Sequence, residues 1–198
     1  MNQSTKLLDA QARVMDVGAN TGLFTIRIKQ LYPNALVHCY EPMPGSFEQL
    51  RANLQANSLG DSVPIPEGIG DTTRAERLFI HKRNVGGHSI YTKVAPSGES
   101  QEIHLTGIGE AINRLPGKSC SLLKLDCEGA EHEIIKAINK GLAAKVDRLI
   151  FEPTPALYDI NELKRHLDQV GYDVGCNAGI YVATRRDLIV DGAAKPFA

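Results

Sequence analysis

The feature that most constrains this chain is an alternation of short apolar runs with amphipathic stretches, which breaks at one place. Residues 13–17, 35–40, 121–126 and 149–151 are apolar runs of strand length. Between them, apolar residues recur at helical spacing: Phe24, Ile28 and Leu31, then Phe47, Leu50 and Leu54, then Ile134, Ile135, Ile138 and Leu142, and last Leu163, Leu167 and Val170. Strands joined by helices pair in parallel, because a crossover of that length returns the chain to the same end of a sheet. Near the C-terminus the alternation stops. Residues 172–176 and 180–184 are separated only by Asn177-Ala178-Gly179, which leaves no room for a helix and makes a hairpin. The spacing predicts an α/β sheet, mostly parallel, that ends in an antiparallel hairpin.

The rest of the pattern fits one domain over residues 13–187, with a short N-terminal extension at 1–12 and a C-terminal tail at 188–198. A third strand around 63–67 contains Pro64 and Pro66, and proline cannot donate to a ladder, so that strand belongs at a sheet edge. Residues 71–107 are the least regular, with short strands at Leu78-Phe79-Ile80 and Ile103-His104-Leu105 around the Gly-rich loop Gly86-Gly87-His88. Asp159 and Glu162 resemble a capping box for the last helix. The 22 Lys and Arg against 23 Asp and Glu leave a formal charge of -1, so no basic field draws the chain to nucleic acid or anionic lipid. No apolar run approaches the ~20 residues of a membrane span, and residues 1–11 lack the core of a signal peptide. Cys39, Cys120, Cys127 and Cys176 show no CxxC pairing and read as buried, reduced thiols of a cytoplasmic protein.

Open α/β sheets bind ligands at the C-terminal ends of their strands. Here those ends carry Asp16, Glu41, Asp71, Asp126 and Glu152. Acids at all five put a ring of negative charge around one crevice, costly unless a cation or a set of donors satisfies it. A sulfonium-bearing, hydroxyl-rich ligand would do so. In Asp16-Val17-Gly18-Ala19-Asn20-Thr21-Gly22, Gly18 permits a tight strand-to-helix turn and Gly22 lets the helix start close to the sheet. Asn20 occupies the second glycine position of GxGxxG, so the loop suits a ligand without phosphates. Glu41, at the end of the second strand, is placed to accept hydrogen bonds from a ribose diol, and Asp71 to meet the amino group of the attached base. Strand alternation puts Lys124 and Asp126 on one side of a buried strand, where the lysine needs a partner and Asp126 is the nearest candidate. Glu128 and Glu131 are placed to meet the dipole of the following helix.

Three segments together resemble the FkbM family of S-adenosylmethionine-dependent methyltransferases: residues 16–22, then Tyr40-Glu41-Pro42-Met43-Pro44, then Lys124-Leu125-Asp126-Cys127-Glu128-Gly129-Ala130-Glu131. The resemblance implies a class I methyltransferase fold, a Rossmann-like three-layer sandwich around a seven-stranded sheet whose seventh strand arrives through the terminal hairpin. It implies S-adenosyl-L-methionine as cofactor, S-adenosyl-L-homocysteine as product, and a hydroxyl of a sugar or secondary metabolite as acceptor. The cofactor residues would be Asp16, Gly18, Ala19, Asn20, Gly22, Glu41 and Asp71. Family members carry helices ahead of the first strand that help close the site. Only residues 1–12 precede it here, so the site is expected to be open, or walled by a partner subunit such as a second copy.

Methyl transfer is an in-line displacement in which the protein gains mainly by positioning the reactants. An aliphatic hydroxyl needs a general base within hydrogen-bond reach. Asp126 is the candidate, with Lys124 orienting it or stabilising the developing alkoxide. Glu152 and His88 stand in reserve, the latter if its loop folds over the crevice. Asp126, Glu128 and Glu152 could instead bind a divalent cation that chelates a diol, although Lys124 can neutralise these carboxylates without metal. Two other classes compete: a non-catalytic partner that keeps the fold, and a nicotinamide-dependent oxidoreductase. Against the latter stand the missing GxGxxG and the terminal hairpin.

Overall fold

A computed structural model describes residues 8, 9, 11–81, 87–96 and 98–189; the expectations that touch 1–7, Gly86 and 190–198 lie outside them. Strands β1 (Arg13–Val17), β2 (Leu36–Tyr40) and β3 (Val63–Ile65) alternate with helices α1 (Leu23–Leu31) and α2 (Pro44–Ala56). A second group follows: β4 (Gly68–Gly70), β5 (Arg74–Phe79), β6 (Ser100–Gly107) and helix α3 (Ile108–Arg114). The chain then returns through β7 (Leu122–Leu125), α4 (Glu131–Ala137), α5 (Lys140–Ala143), β8 (Arg148–Phe151), α6 (Ile160–Val170), β9 (Tyr172–Asn177) and β10 (Ile180–Arg185).

The main sheet has seven strands in the order β3-β2-β1-β7-β8-β10-β9. All neighbours from β3 to β8 are parallel, and β10 runs antiparallel between β8 and β9. The hairpin therefore inserts its second strand into the sheet. Its turn is Ala178-Gly179, both left-handed (φ 49 and 86), the geometry whose twist matches paired strands. As expected from its prolines, β3 is an edge.

Alternation along each strand divides the core into two layers. Val14, Val37, Cys39 and Leu122 face one side, where Ala19, Ile28, Leu50 and Leu54 from the α1 and α2 segments cover them. Met15, Val17, Tyr40, Leu123, Leu125 and Phe151 face the other, under residues of α3, α4 and α6. Leu8 and Ala12 are buried with the first layer. A smaller sheet, in the order β4-β6-β5, buries Leu78, Ile103 and Leu105 against Met43 and Ile90. No described helix is long and apolar enough to cross a membrane.

Several expectations need correction. The helix anticipated across Ile134–Leu142 breaks at Ile138, whose backbone is extended, and Asn139 caps α5 by accepting from the Leu142 N–H. The capping box does not form on α6, which carries a simple N-cap instead. The Asp159 side chain accepts from the Asn161 N–H, while Glu162 turns instead to Lys136 and His132. Leu31, placed on the buried stripe of α1, is exposed. All four cysteines are free, but only Cys39 and Cys120 are fully buried, and Cys176 is exposed on the hairpin.

Candidate active site

From β1 the chain moves to β2 and β3 on one side, and β7 lies on the other. The segments leaving β1 and β7 must therefore diverge, and a crevice opens at the C-terminal ends of these strands. A cleft of about 250 Å³ occupies it, lined by Gly18, Asn20, Glu41, Asp126 and Glu128 among others.

The bend after β1 is shaped by two glycines. Gly18 is left-handed (φ 70), and a Cβ there would lie 1.9 Å from the Asp126 carbonyl oxygen. Only glycine lets β1 and β7 leave the sheet this close together. Gly22 (φ 87) caps α1, and a Cβ on it would meet Leu50 at 2.7 Å. The Gly18 and Ala19 N–H groups both donate to the Tyr40 carbonyl at 3.0 Å. These bonds tie the bend to the end of β2, where Glu41 is 7% exposed. Its Oε2 accepts from the Asn20 N–H and its Oε1 from the Met43 N–H, both at 2.9 Å. Burial raises the Glu41 pKa above the usual carboxylate value, against the pull of these two N–H groups. A carboxylate offers about four acceptor positions, so Glu41 keeps capacity for a ligand in the cleft.

Asp16 and Lys124 sit differently from their expected places. They are cross-strand partners in the β1–β7 register, on the face covered by α1. Asp16 is fully buried and is not among the cleft-lining residues; its Oδ2 accepts from the Thr25 hydroxyl at 2.8 Å. The Lys124 ammonium lies 3.1 Å from Asp16 Oδ1 and 3.5 Å from Asp126 Oδ2. It also donates to the carbonyls of Gly18 at 2.8 Å and Val17 at 3.3 Å. The nearest carboxylate to Lys124 is thus Asp16, not Asp126. Burial pulls the lysine pKa down, but Asp16 and Asp126 outweigh it and hold it above the ordinary value. With two hydrogen bonds to bend carbonyls and its charge set against Asp16, Lys124 is a strut beneath the cleft.

On the β7 side, the loop after Asp126 is braced from within. Glu131, 1% exposed, accepts from the Cys127 and Gly129 N–H groups at 2.8 Å each and from the Tyr158 hydroxyl at 3.3 Å. It holds the preceding loop as well as standing at the start of α4. Asp126, half-exposed, and Glu128 both line the cleft. Burial raises the Glu128 pKa, and the Asp126, Glu131 and Glu152 carboxylates push it further the same way. Glu152 is exposed and is not among the lining residues. His88 is a lining residue, and its Nδ1 accepts from the His81 N–H at 3.0 Å. Burial, with His81 nearby, lowers the His88 pKa.

Asp71 stands outside the lining residues. It follows β4 in the small sheet, and its carboxylate is taken up by Arg74 and Thr72. Among the described residues no group of three or more His, Cys, Asp or Glu side chains is gathered to hold a metal ion, so Asp126, Glu128 and Glu152 do not form the chelating set considered above.

The model of the methyltransferase FkbM domain matches residues 16–181. The chain belongs to the FkbM methyltransferase family. The 31-O-demethyl-FK506 methyltransferase FkbM of Streptomyces tacrolimicus is 22% identical over 167 residues, covering 70% of this chain and 64% of that protein. The crystal structure of methyltransferase FkbM from Methylobacillus flagellatus KT superposes with a TM-score of 0.63 at 14% identity, over 92% of this chain and 45% of that one. A Streptococcus pneumoniae protein assigned as a tRNA methyltransferase, solved with S-adenosyl-L-methionine, superposes at 0.54 with 15% identity, over 96% and 72%. This FkbM-family chain therefore spans less than two thirds of its Streptomyces relative and less than half of the Methylobacillus chain. The structural likenesses establish a Rossmann-like methyltransferase fold.

Part of the FkbM-type cleft was not singled out from sequence. Leu78, Ile90, Ile103 and Leu105 form an apolar wall, and Ser46 lines the cleft from α2. The strand character of Ile103-His104-Leu105 was legible, but not that a second sheet turns this face toward the crevice. Glu128 read only as a helix-dipole or metal carboxylate, because its left-handed backbone (φ 53) breaks the strand alternation that would have aimed it.

Proposed function

We propose that this methyltransferase transfers a methyl group from S-adenosylmethionine to a hydroxyl of a small-molecule acceptor, a sugar or a secondary metabolite. The observation that carries the reading is the Glu41 carboxylate, turned into the bend after β1 with acceptor positions to spare. S-adenosylmethionine, when bound, supplies a methyl group on a positively charged sulfur. The residues fit such a group. Glu41 would accept from the ribose hydroxyls, the Gly18 and Asn20 segment would border the ligand, and Pro42 and Ile69 offer apolar surface in the same cleft. Among the described residues Asn20 Oδ1 is buried without a hydrogen-bond partner, which suits a ligand donor. The lining holds Glu41, Asp126 and Glu128 but no Lys or Arg among the described residues, so it favours a cation. Asp16 and Lys124 support the bend from beneath.

Transfer to oxygen is favoured because the cleft carries carboxylates able to take a proton, which an aliphatic hydroxyl requires. The Streptomyces relative is named for O-methylation, which agrees.

Isothermal calorimetry tests the reading. Micromolar binding of S-adenosylmethionine and S-adenosylhomocysteine is expected, and Glu41→Ala should weaken both by about tenfold or more, the loss of charge-assisted hydrogen bonds. Only the ionised carboxylate accepts from both hydroxyls. Since burial raises the Glu41 pKa, affinity should fall on acidification sooner than an ordinary carboxylate would dictate. Absence of heat with either compound at neutral pH removes the proposal.

A further inference from the structure

One hydrogen-bond acceptor, the Glu128 carboxylate, and one donor, the His88 imidazole, line the same cleft. Among the described residues the Glu128 carboxylate has no ion-pair or hydrogen-bond partner; its electrostatic neighbours are the like charges of Asp126, Glu131 and Glu152. Its backbone is held on both sides. The Ser89 hydroxyl donates to the Glu128 carbonyl at 2.5 Å, and the next residue, Gly129, donates to Glu131 at 2.8 Å. The first of these bonds ties the residue after His88 to the Glu128 loop, and His88 and Glu128 both line the cleft. Because His88 Nδ1 accepts a backbone N–H, the neutral ring carries its proton on Nε2 and is a donor there. A carboxylate acceptor and an imidazole donor in one cleft are together the complement of a hydroxyl group. Leu78, Ile90, Ile103 and Leu105 add an apolar wall to the same cleft.

We propose that Glu128 and His88 hold the acceptor hydroxyl, Glu128 as the base and His88 Nε2–H as the donor to its oxygen, and that the acceptor is an uncharged alcohol with an apolar body. This rests on the methyl-transfer reading. The other candidates are engaged elsewhere: Asp126 is paired with the Lys124 ammonium, Lys124 is committed to the bend, and Glu152 lies outside the lining. In the step, the acceptor O–H bond breaks and its proton passes to a Glu128 oxygen. The acceptor oxygen bonds to the methyl carbon, and the carbon–sulfur electron pair returns to sulfur, which becomes neutral. Glu128 then gives the proton to water. Three lining carboxylates, with no lining Lys or Arg among the described residues, repel an acceptor bearing phosphate or carboxylate.

The test uses the full chain and radiolabelled S-adenosylmethionine, with cyclohexanol, a methyl 6-deoxyhexoside and a macrolactone carrying a free secondary hydroxyl as probes, each beside its phosphate monoester. The wild type should methylate at least one neutral probe and none of the phosphates. Glu128→Gln should lower kcat by roughly 10²–10⁴-fold with S-adenosylhomocysteine affinity kept within about twofold, and Asp126→Asn should lower kcat less. His88→Gln should raise KM for the alcohol. The charges facing Glu128 come from the end of β7 (Asp126), from α4 (Glu131) and from the end of β8 (Glu152). Glu152→Gln removes one of them, so the acid limb of the rate profile should move to lower pH, a shift that a structural role for Glu128 would not produce. The proposal is overturned by a Glu128→Gln kcat within about tenfold of wild type, by an unmoved acid limb, by turnover of the phosphates, or by a protein that binds S-adenosylmethionine and methylates no neutral probe. Failure to bind S-adenosylmethionine would instead remove the methyl-transfer reading on which it rests.

Discussion

At Gly18 a single hydrogen stands where any side chain would overlap the neighbouring strand. The imagined Cβ falls 1.9 Å from a backbone oxygen, and the left-handed φ of 70 adds strain for any L-residue. Gly18→Ala should therefore cost about 3 kcal/mol or more, measured by urea denaturation; a loss below about 1 kcal/mol would show that β1 and β7 can separate cheaply. This glycine and Glu41 were legible in the sequence because their meaning is local, a turn after a strand and an acid at a strand end. The partner of Lys124 was not. Alternation places Asp126 on the same side of the same strand, about 6.6 Å along it, whereas parallel register sets Asp16 directly across, where neighbouring strands lie about 4.8 Å apart. Register is a property of two segments, and neither carries it alone.

Elements β1 and β7 are joined by more than their ladder. The Asp16–Lys124 pair is buried between them, with the ammonium also bonded to the carbonyls that begin the bend. Lys124→Met should destabilise the fold by about 3–5 kcal/mol, because it leaves Asp16 charged and unpaired. Lys124→Met with Asp16→Asn should recover much of that loss, since both charges are then gone. Equal losses in the single and double variants would mean that the lysine acts through packing alone. Strands and helices were anticipated well where periodicity was strong, as in α1, α2 and α6. The break between α4 and α5 was not, because the apolar stripe continues through it while Asn139 supplies a cap that competes with helix continuation.

For the molecule as a whole, the cleft lies between the ends of the main sheet and the face of the smaller one, so a ligand that fills it should brace both. S-adenosylhomocysteine at about a hundred times its Kd should add about 2.7 kcal/mol of stability, a rise in Tm of roughly 5–10 °C for a chain this size. A thermal melt unchanged at that concentration would count against binding in this cleft. The parallel sheet, its proline-bearing edge and its terminal hairpin were determined by sequence alone, because apolar period, chain length between strands and turn chemistry are written locally. So were the acids that end the strands. Which of those acids reach the cleft was decided only by the tertiary structure. Asp16 is sealed beneath by register, Asp71 is drawn off by Arg74, Glu152 stays outside, and Glu128 is brought in by a left-handed turn fastened to Ser89. Each outcome depends on a partner distant in sequence, and hydrogen bonds and ion pairs, unlike hydrophobic period, leave no trace along the chain of which distant group will complete them.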